Sequence, residues 1–299
     1  MNIIACNELT KVYKDSVKAL DSISFKMASK GIFALIGRNG AGKTTLVRIL
    51  ATELKATSGT ASIDGLDVDK EAKKLRERIA IVPQEARALS WMTPKQTISA
   101  YLMWRGFSYG EAREKALESL AKLGLTQYAN VLNGRLSGGT KRKVLVATVI
   151  ASEADFVFLD EPTTGLDPIS RRELWGTLRE LGKERFTFLT THYLEEAEQL
   201  ADSIGILKEG KLVAIGSLND LRKGMKYGYS VKFDAKVPVS GVKGDVTVSE
   251  GGYTQVLTNE DEAYSIARML VNSGVRYSLS PVTLDDIFFR LVGQTSRDD

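Results

Sequence analysis

The chain has one cysteine, Cys6, one histidine, His192, and only 6 prolines in 299 residues. A single cysteine cannot form an intrachain disulfide, so no disulfide framework exists and a reducing, intracellular setting is expected. The scarcity of proline, with 43% hydrophobic and 26% charged residues, excludes a collagen-like or wholly disordered chain. No apolar run approaches the roughly 18 residues that a membrane-spanning helix needs. The best candidate, residues 144–151, is far too short. The start, Met1-Asn2-Ile3-Ile4-Ala5-Cys6-Asn7-Glu8, lacks the basic residue and long apolar stretch of a secretory signal. Charge of one sign is also missing. Basic residues number 41 and acidic ones 37, a balance too even to point to nucleic acid, and no nucleic acid partner is expected. These absences predict a soluble cytoplasmic protein. At roughly 100–200 residues per domain, the length predicts one large domain or two unequal ones.

The pattern that is present alternates strands and helices. Residues 3–5, 11–13 and 23–27 read as short antiparallel strands separated by polar breaks. Residues 32–36 form an apolar run that enters a glycine cluster, and 44–54 read as a helix. Strand candidates follow at 60–63 and 79–82, with the mixed charges of 69–78 as the solvated face of a helix. From 93 to 122 the period becomes helical: Ile98, Tyr101 and Leu102, then Ala116, Leu117, Leu120 and Leu123, recur at three- and four-residue spacing. Gly124 is placed to stop the second of these helices. Strands resume at 156–159, 187–190 and 204–207, with helices at 170–183 and 193–201 between them. After Gly216 the texture alters. Half-buried strands at 229–233, 246–248 and 253–257 precede a helix at 261–272, a strand at 275–279 and a helix at 284–291. The expected boundary lies near residues 216–224, and the tail 294–299 is expected to fray.

Two motifs carry chemistry. Gly37-Arg38-Asn39-Gly40-Ala41-Gly42-Lys43-Thr44 has the spacing of a phosphate loop. Glycines let the backbone turn its N–H groups around phosphate oxygens, and the following helix adds its positive dipole end. Lys43 would reach the β- and γ-phosphates and the Thr44 hydroxyl would ligate Mg²⁺. Phe156-Val157-Phe158-Leu159-Asp160-Glu161 is an apolar strand that ends in two acids, at the strand end where open α/β sheets bind ligands. Asp160 is the candidate for the Mg²⁺ water shell and Glu161 for polarising an attacking water.

Leu136-Ser137-Gly138-Gly139-Thr140, together with Gln84 and His192, narrows the class. Over about the first 215 residues the chain resembles the ATP-binding cassette (ABC) family, whose nucleotide-binding domains drive membrane transport. The resemblance implies an α/β fold: a P-loop NTPase core with an antiparallel β subdomain and a helical insertion at about 86–140. That domain would span 1–216, with a small C-terminal α+β domain at 217–299. ATP and Mg²⁺ are the implied cofactors. Nucleotide contact is implied for the whole loop, Gly37, Arg38, Asn39, Gly40, Ala41, Gly42, Lys43 and Thr44, and for Thr45 beside it. Tyr13 matches the aromatic that stacks on adenine. Gln84 matches the glutamine that contacts Mg²⁺ and the γ-phosphate. Ser137, Gly138 and Gly139 match the signature that binds the γ-phosphate held by a second subunit, Asp167 the loop crossing that interface, and His192 the switch histidine. The family's fifth signature residue is glutamine, whereas Thr140 stands here, which weakens that one assignment.

The closing stretch Pro281-Val282-Thr283-Leu284-Asp285-Asp286-Ile287-Phe288 looks like the tail of export-type members acting on drugs, lipids or polysaccharides. Leu284, Ile287, Phe288 and Leu291 also suit one core face of a helix. The leading expectation is therefore the ATP-hydrolysing motor subunit of an ABC exporter. It would act as a homodimer or paired with another nucleotide-binding subunit. A separate membrane-spanning partner would hold it at the cytoplasmic face of the cell membrane. A soluble cassette ATPase acting on ribosomes, DNA or cofactor assembly is the alternative. It is disfavoured because there is one cassette, and because residues 85–135 are too few for a long coiled coil. A non-hydrolysing regulatory subunit would be expected to lack Glu161 or His192.

Overall fold

The polar break at Asn7 and Glu8 does not end a strand. A single strand β1 (Ile3–Val12) runs through it, with bulges between Cys6 and Leu9 and again before Lys11. Glu8 takes the extra residue with φ +48°. The computed structural model describes residues 3–28, 30–234, 243–248 and 253–293. The tail expected to fray lies outside them. The chain divides into two units, Met1–Ile215 and Gly216–Asp299.

In the first unit, β1 pairs antiparallel with β2 (Lys18–Ala28). After them come β3 (Ile32–Gly37), α1 (Lys43–Leu50), β4 (Ser58–Ile63), β5 (Leu66–Asp67), α2 (Ala72–Arg78) and β6 (Ile79–Val82). Three helices follow: α3 (Pro94–Trp104), α4 (Tyr109–Lys122) and α5 (Gly138–Ala151). The unit closes with β7 (Phe156–Asp160), α6 (Pro168–Glu184), β8 (Phe186–Thr191), α7 (Leu194–Leu200), β9 (Ser203–Lys208) and β10 (Lys211–Gly216). One sheet has the order β2-β1-β4-β5 and the other β10-β9-β3-β8-β7-β6. In the second, β9, β3, β8, β7 and β6 run parallel.

The register of the parallel strands places the site. Ile36 lies opposite Thr191, Asp160 opposite Thr190, and Val82 opposite Leu159. The loops after β3, β6, β7 and β8 therefore leave the same sheet edge, carrying the glycine loop, Gln84, Glu161 and His192 to one place. A core of phenylalanines holds that edge: Phe33 packs on Phe188 at 4.9 Å and Phe188 on Phe158 at 5.6 Å, all buried. Burial of each ring contributes on the order of 1.5–3 kcal/mol. The same cluster takes in Ile4, Leu20 and Ile63 of the antiparallel sheet and Leu46 and Leu50 of α1. Cys6 is part of it, and burial pushes its thiol up to about 12. N-ethylmaleimide should leave the folded chain unlabelled and modify it once urea is added. Rapid labelling without urea would mean that the antiparallel sheet opens.

The helical insertion is set by its caps. Thr93 with Gln96, and Ser108 with Glu111, form reciprocal capping boxes, and Pro94 occupies the first turn of α3. Gly106, at φ +98°, separates α3 from α4, and Gly124, at φ +67°, follows the C-cap of α4. Leu117, expected on the apolar face, is 40% exposed. Ala112, Ala116 and Leu120 define the inward stripe, and a residue next to Ala116 is turned about a quarter of a circle away. The apolar run at 144–151 is the interior of α5, buried nearly all round.

The second unit contains α8 (Leu218–Lys223), β11 (Tyr229–Asp234), β12 (Asp245–Val248), β13 (Tyr253–Thr258), α9 (Glu260–Asn272), β14 (Tyr277–Pro281) and α10 (Leu284–Val292). Its sheet has the order β12-β13-β11-β14, and every pairing is antiparallel. Ala263, Ile266 and Leu270 of α9 pack on Val231, Phe233 and Val256. The last strand begins two residues later than expected. Val275 N–H still closes α9 by donating to the Leu270 carbonyl at 3.0 Å, so pairing starts at Tyr277 opposite Phe233. The 286 carboxyl in this unit is buried on α10, which would raise it. Hydrogen bonds from Thr283 and Gln255 and the nearby Lys232 ammonium reverse that and hold Asp286 below the ordinary carboxylate value.

A candidate ATP-binding and hydrolysis site

The glycine loop needs its glycines at two positions in particular. Gly40 and Gly42 have φ +81° and +105°, and a Cβ on Gly42 would lie 2.3 Å from the Ala19 carbonyl oxygen. Gly42 caps α1, so the helix opens directly at Lys43 and Thr44. The Lys43 ammonium turns back over the loop and donates to the carbonyls of Gly37 at 2.8 Å and Arg38 at 3.2 Å. It also lies 3.8 Å from Glu161 Oε1. Burial pushes Lys43 below the ordinary lysine value, and the Glu161 and Asp160 carboxylates offset part of that shift. Arg38, Asn39, Gly40 and Thr44 are exposed, whereas Gly37, Ala41 and Thr45 are buried. Tyr13, just beyond β1, is 3.2 Å from Thr45 Oγ1 through its hydroxyl, and the Lys11 ammonium lies 5.4 Å from its ring centre.

Glu161 is the hub of the site. Its Oε2 accepts from Gln84 Nε2 at 3.3 Å and from the Thr164 hydroxyl at 3.1 Å, and His192 Nδ1 lies 3.3 Å away. Its backbone is held in the left-handed region at φ +50°, a conformation costing a residue with a side chain on the order of 1–3 kcal/mol. Thr190 holds it there, accepting the Glu161 N–H through its carbonyl at 3.2 Å and its hydroxyl at 3.0 Å. The same hydroxyl donates to Asp160 Oδ1 at 2.5 Å. Asp160 is 1% exposed, and its Oδ2 has no hydrogen-bond partner. A buried carboxylate oxygen without a donor suits a cation or its water shell. Among the described residues no group of three or more His, Cys, Asp or Glu could cage a metal. A single unpartnered oxygen of Asp160 is compatible with Mg²⁺, which is commonly held by one or two carboxylates together with substrate phosphates and water.

Ser137, Gly138, Gly139 and Asp167 gather elsewhere. They line a cleft of about 490 Å³ to which no residue of the glycine loop contributes. Ser137 caps α5 by accepting the Thr140 N–H at 3.1 Å, and the Ser137 and Thr140 hydroxyls are 2.8 Å apart. Asp167 caps α6 by accepting the N–H groups of Ile169 and Ser170. Hydrogen bonds from Ser170 hold its carboxyl below the usual range. The candidate residues thus form two groups, one around Glu161 and one at the start of α5.

The motifs name neither Thr164 nor Thr190, nor two buried charged groups. The Arg142 guanidinium is buried against backbone carbonyls of residues 83–84 and 160–162. Glu196 of α7 is fully buried, accepts the Trp175 indole N–H at 3.0 Å, and is held above the ordinary carboxyl value by burial. In the sequence Arg142 stands between Lys141 and Lys143, a basic run that reads as a solvated face, so no local signal sets it apart.

Comparison with known proteins agrees with this geometry. A family model described as "ABC transporter" matches residues 20–164. The daunorubicin/doxorubicin resistance ATP-binding protein DrrA of Streptomyces peucetius is 32% identical over 310 residues, covering 99% of this chain and 94% of that protein. The Nod factor export ATP-binding protein I of Burkholderia orbicola (strain AU 1054) is 31% identical, with 96% of each chain covered. The dimeric structure of a bacterial ABC transporter cassette superposes with a TM-score of 0.67 at 25% identity, covering 72% of this chain and 98% of that one. The same cassette in a post-hydrolysis state bound to ADP and Pi matches equally well. With a P-loop NTPase fold and relatives of this kind along nearly its whole length, the chain belongs to the ATP-binding cassette family, as an ATP-hydrolysing subunit of an ABC transporter.

Proposed function

We propose that two cassettes, each carrying this arrangement, close over two ATP molecules with Mg²⁺ and drive export through a separate membrane-spanning partner. The observation that carries this reading is the convergence of Lys43, Gln84, Thr164 and His192 on the Glu161 carboxylate beside the unpartnered Asp160 oxygen. The loop 37–44 and Thr45 hold the phosphates, and Tyr13 stacks on the adenine. An anionic phosphate set against Lys43 raises its depressed proton affinity again and keeps it charged. Glu161 accepts a hydrogen bond from the attacking water and polarises it, while His192 and Gln84 orient the γ-phosphate. Thr44 and Gln84 would hold Mg²⁺, with Asp160 on its water shell, and the bound ion would neutralise charge on the β- and γ-phosphates. Ser137, Gly138, Gly139 and Asp167 complete the site of the opposite subunit. Their separation from the glycine loop supports a shared site. The names of the relatives, drug resistance and Nod factor export, support an exporter. Among the described residues no helix is long and apolar enough to cross a membrane, so a partner would supply the pathway. Hydrolysis by the purified chain should require divalent cation and stop on chelation with EDTA. Turnover that persists in EDTA would remove the ion from the site.

The contact with the partner is expected on the helical insertion. Of Leu89, Trp91, Met92, Trp104 and Phe107, three are well exposed, with Trp104 at 81% and Trp91 at 70%. Met92 and Phe107 are partly buried and belong to the insertion's own packing. Exposed tryptophans on a surface of this kind suit an interface. Trp91→Ser and Trp104→Ser should uncouple transport in membranes while changing basal ATPase activity no more than about three-fold. Transport left intact by both would place the coupling surface elsewhere.

A further inference from the structure

The guanidinium of Arg142 carries five N–H groups, and each meets a backbone carbonyl. Nε donates to Pro162 at 3.4 Å. Nη1 donates to Pro83 at 3.1 Å and Gln84 at 3.3 Å. Nη2 donates to Asp160 at 2.5 Å and Glu161 at 3.1 Å. Arg142 lies on the second turn of α5, four residues after the first helical residue and five after the capping Ser137. One buried, planar group therefore ties the signature helix to the loop that carries Gln84 and to the strand end that carries Asp160 and Glu161. It fixes the carbonyl side of Glu161, while Thr190 fixes the N–H side. A strained residue held from both sides moves when either support moves.

We infer that Arg142 is a positioning residue that couples the two ATP sites. It transmits displacement of the Ser137 helix of a subunit to the Gln84 and Glu161 of that same subunit. The inference rests on the proposed shared site. When Ser137–Gly139 of one subunit engage the γ-phosphate held by the other, α5 is loaded at its N-terminus. A five-point fork at its second turn passes that load to the general base of its own site. Each site then senses whether the opposite one is filled. Lysine cannot replace this fork, because an ammonium has three donors at a single point and cannot span carbonyls of two loops.

The experiment is steady-state hydrolysis by the full chain carrying Arg142→Lys or Arg142→Gln, with ATP binding measured separately on each protein by a fluorescent ATP analogue. A misplacement of about 1 Å at a catalytic group costs up to about 10²-fold. The expected result is a kcat lowered about 10- to 100-fold and a Hill coefficient for ATP that falls toward one. Nucleotide affinity should stay within about two-fold, because Arg142 touches nothing on the glycine loop. Arg142→Lys, which keeps the charge, should not restore cooperativity. Retention of wild-type kcat and cooperativity by either variant overturns the coupling role. So does a parallel loss of thermal midpoint, nucleotide affinity and kcat in both variants, which is the signature of a structural residue only. If wild-type turnover is itself indifferent to Ser137→Arg, the shared site fails. If turnover depends on Ser137 but not on Arg142, the coupling alone fails.

Discussion

Glu161→Gln will bind ATP and hydrolyse it roughly 10²–10⁴-fold more slowly, the usual size of a general-base effect. The surroundings of the side chain explain why the change is selective. Glu161 Oε2 faces donors on Gln84 and Thr164 with His192 alongside, and Oε1 faces the Lys43 ammonium. An amide keeps one oxygen for the Oε2 cluster but turns an NH₂ toward Lys43, so no basic oxygen is left to polarise water. Nucleotide affinity survives, because the Lys43 ammonium is also held by the Gly37 and Arg38 carbonyls and stays over the loop. Loss of a negative charge beside the γ-phosphate also removes a repulsion that opposes closure. A long-lived ATP-bound dimer should therefore accumulate on gel filtration. Wild-type turnover in the purified variant would end the assignment of Glu161 as the base.

How far the sequence could be read depended on the span of each contact. The glycine loop was legible because its determinants are contiguous: Gly40, Gly42 and the start of α1 lie within a few residues. The two acids were legible because an apolar strand leads straight into them. Lys43 of the hub around Glu161 came from the loop motif, and Gln84 and His192 came only from the family resemblance. Their meeting at Glu161 was not legible, since Gln84 reaches it across 77 residues and the unnamed Thr190 across 29. Arg142 reaches Pro83 across 59 residues, a partnership that no local pattern encodes. Elements with little burial were missed as well. Strand β10 alternates between exposed and half-buried residues beside β9 alone, and α8 is six residues long with only Leu221 buried. Such segments take their structure from what they pack on, not from their own periodicity.

Ser137→Arg is expected to abolish hydrolysis, with a loss above about 10²-fold, the usual cost of removing one donor that stabilises transition-state charge. Three effects combine at this position. The Ser137 hydroxyl caps α5 through the Thr140 N–H, and losing that cap costs about 1 kcal/mol. An arginine sets a cation at the positive end of the helix. Its length also fills the cleft of about 490 Å³ in which Gly138, Gly139 and Asp167 lie. ATP affinity of the isolated subunit should stay within about two-fold, since none of these groups lines the glycine loop. Ser137→Ala separates the causes, because it removes the cap without blocking the cleft and should show the smaller loss. Mixing decides whether the site is shared. A Ser137→Arg chain has an intact phosphate loop, and a Lys43→Ala chain has an intact signature. Their heterodimer holds one site with both halves intact and one with neither. Two inactive chains should then regain at most one working site per dimer. Full activity of Ser137→Arg alone would refute a site built from two subunits.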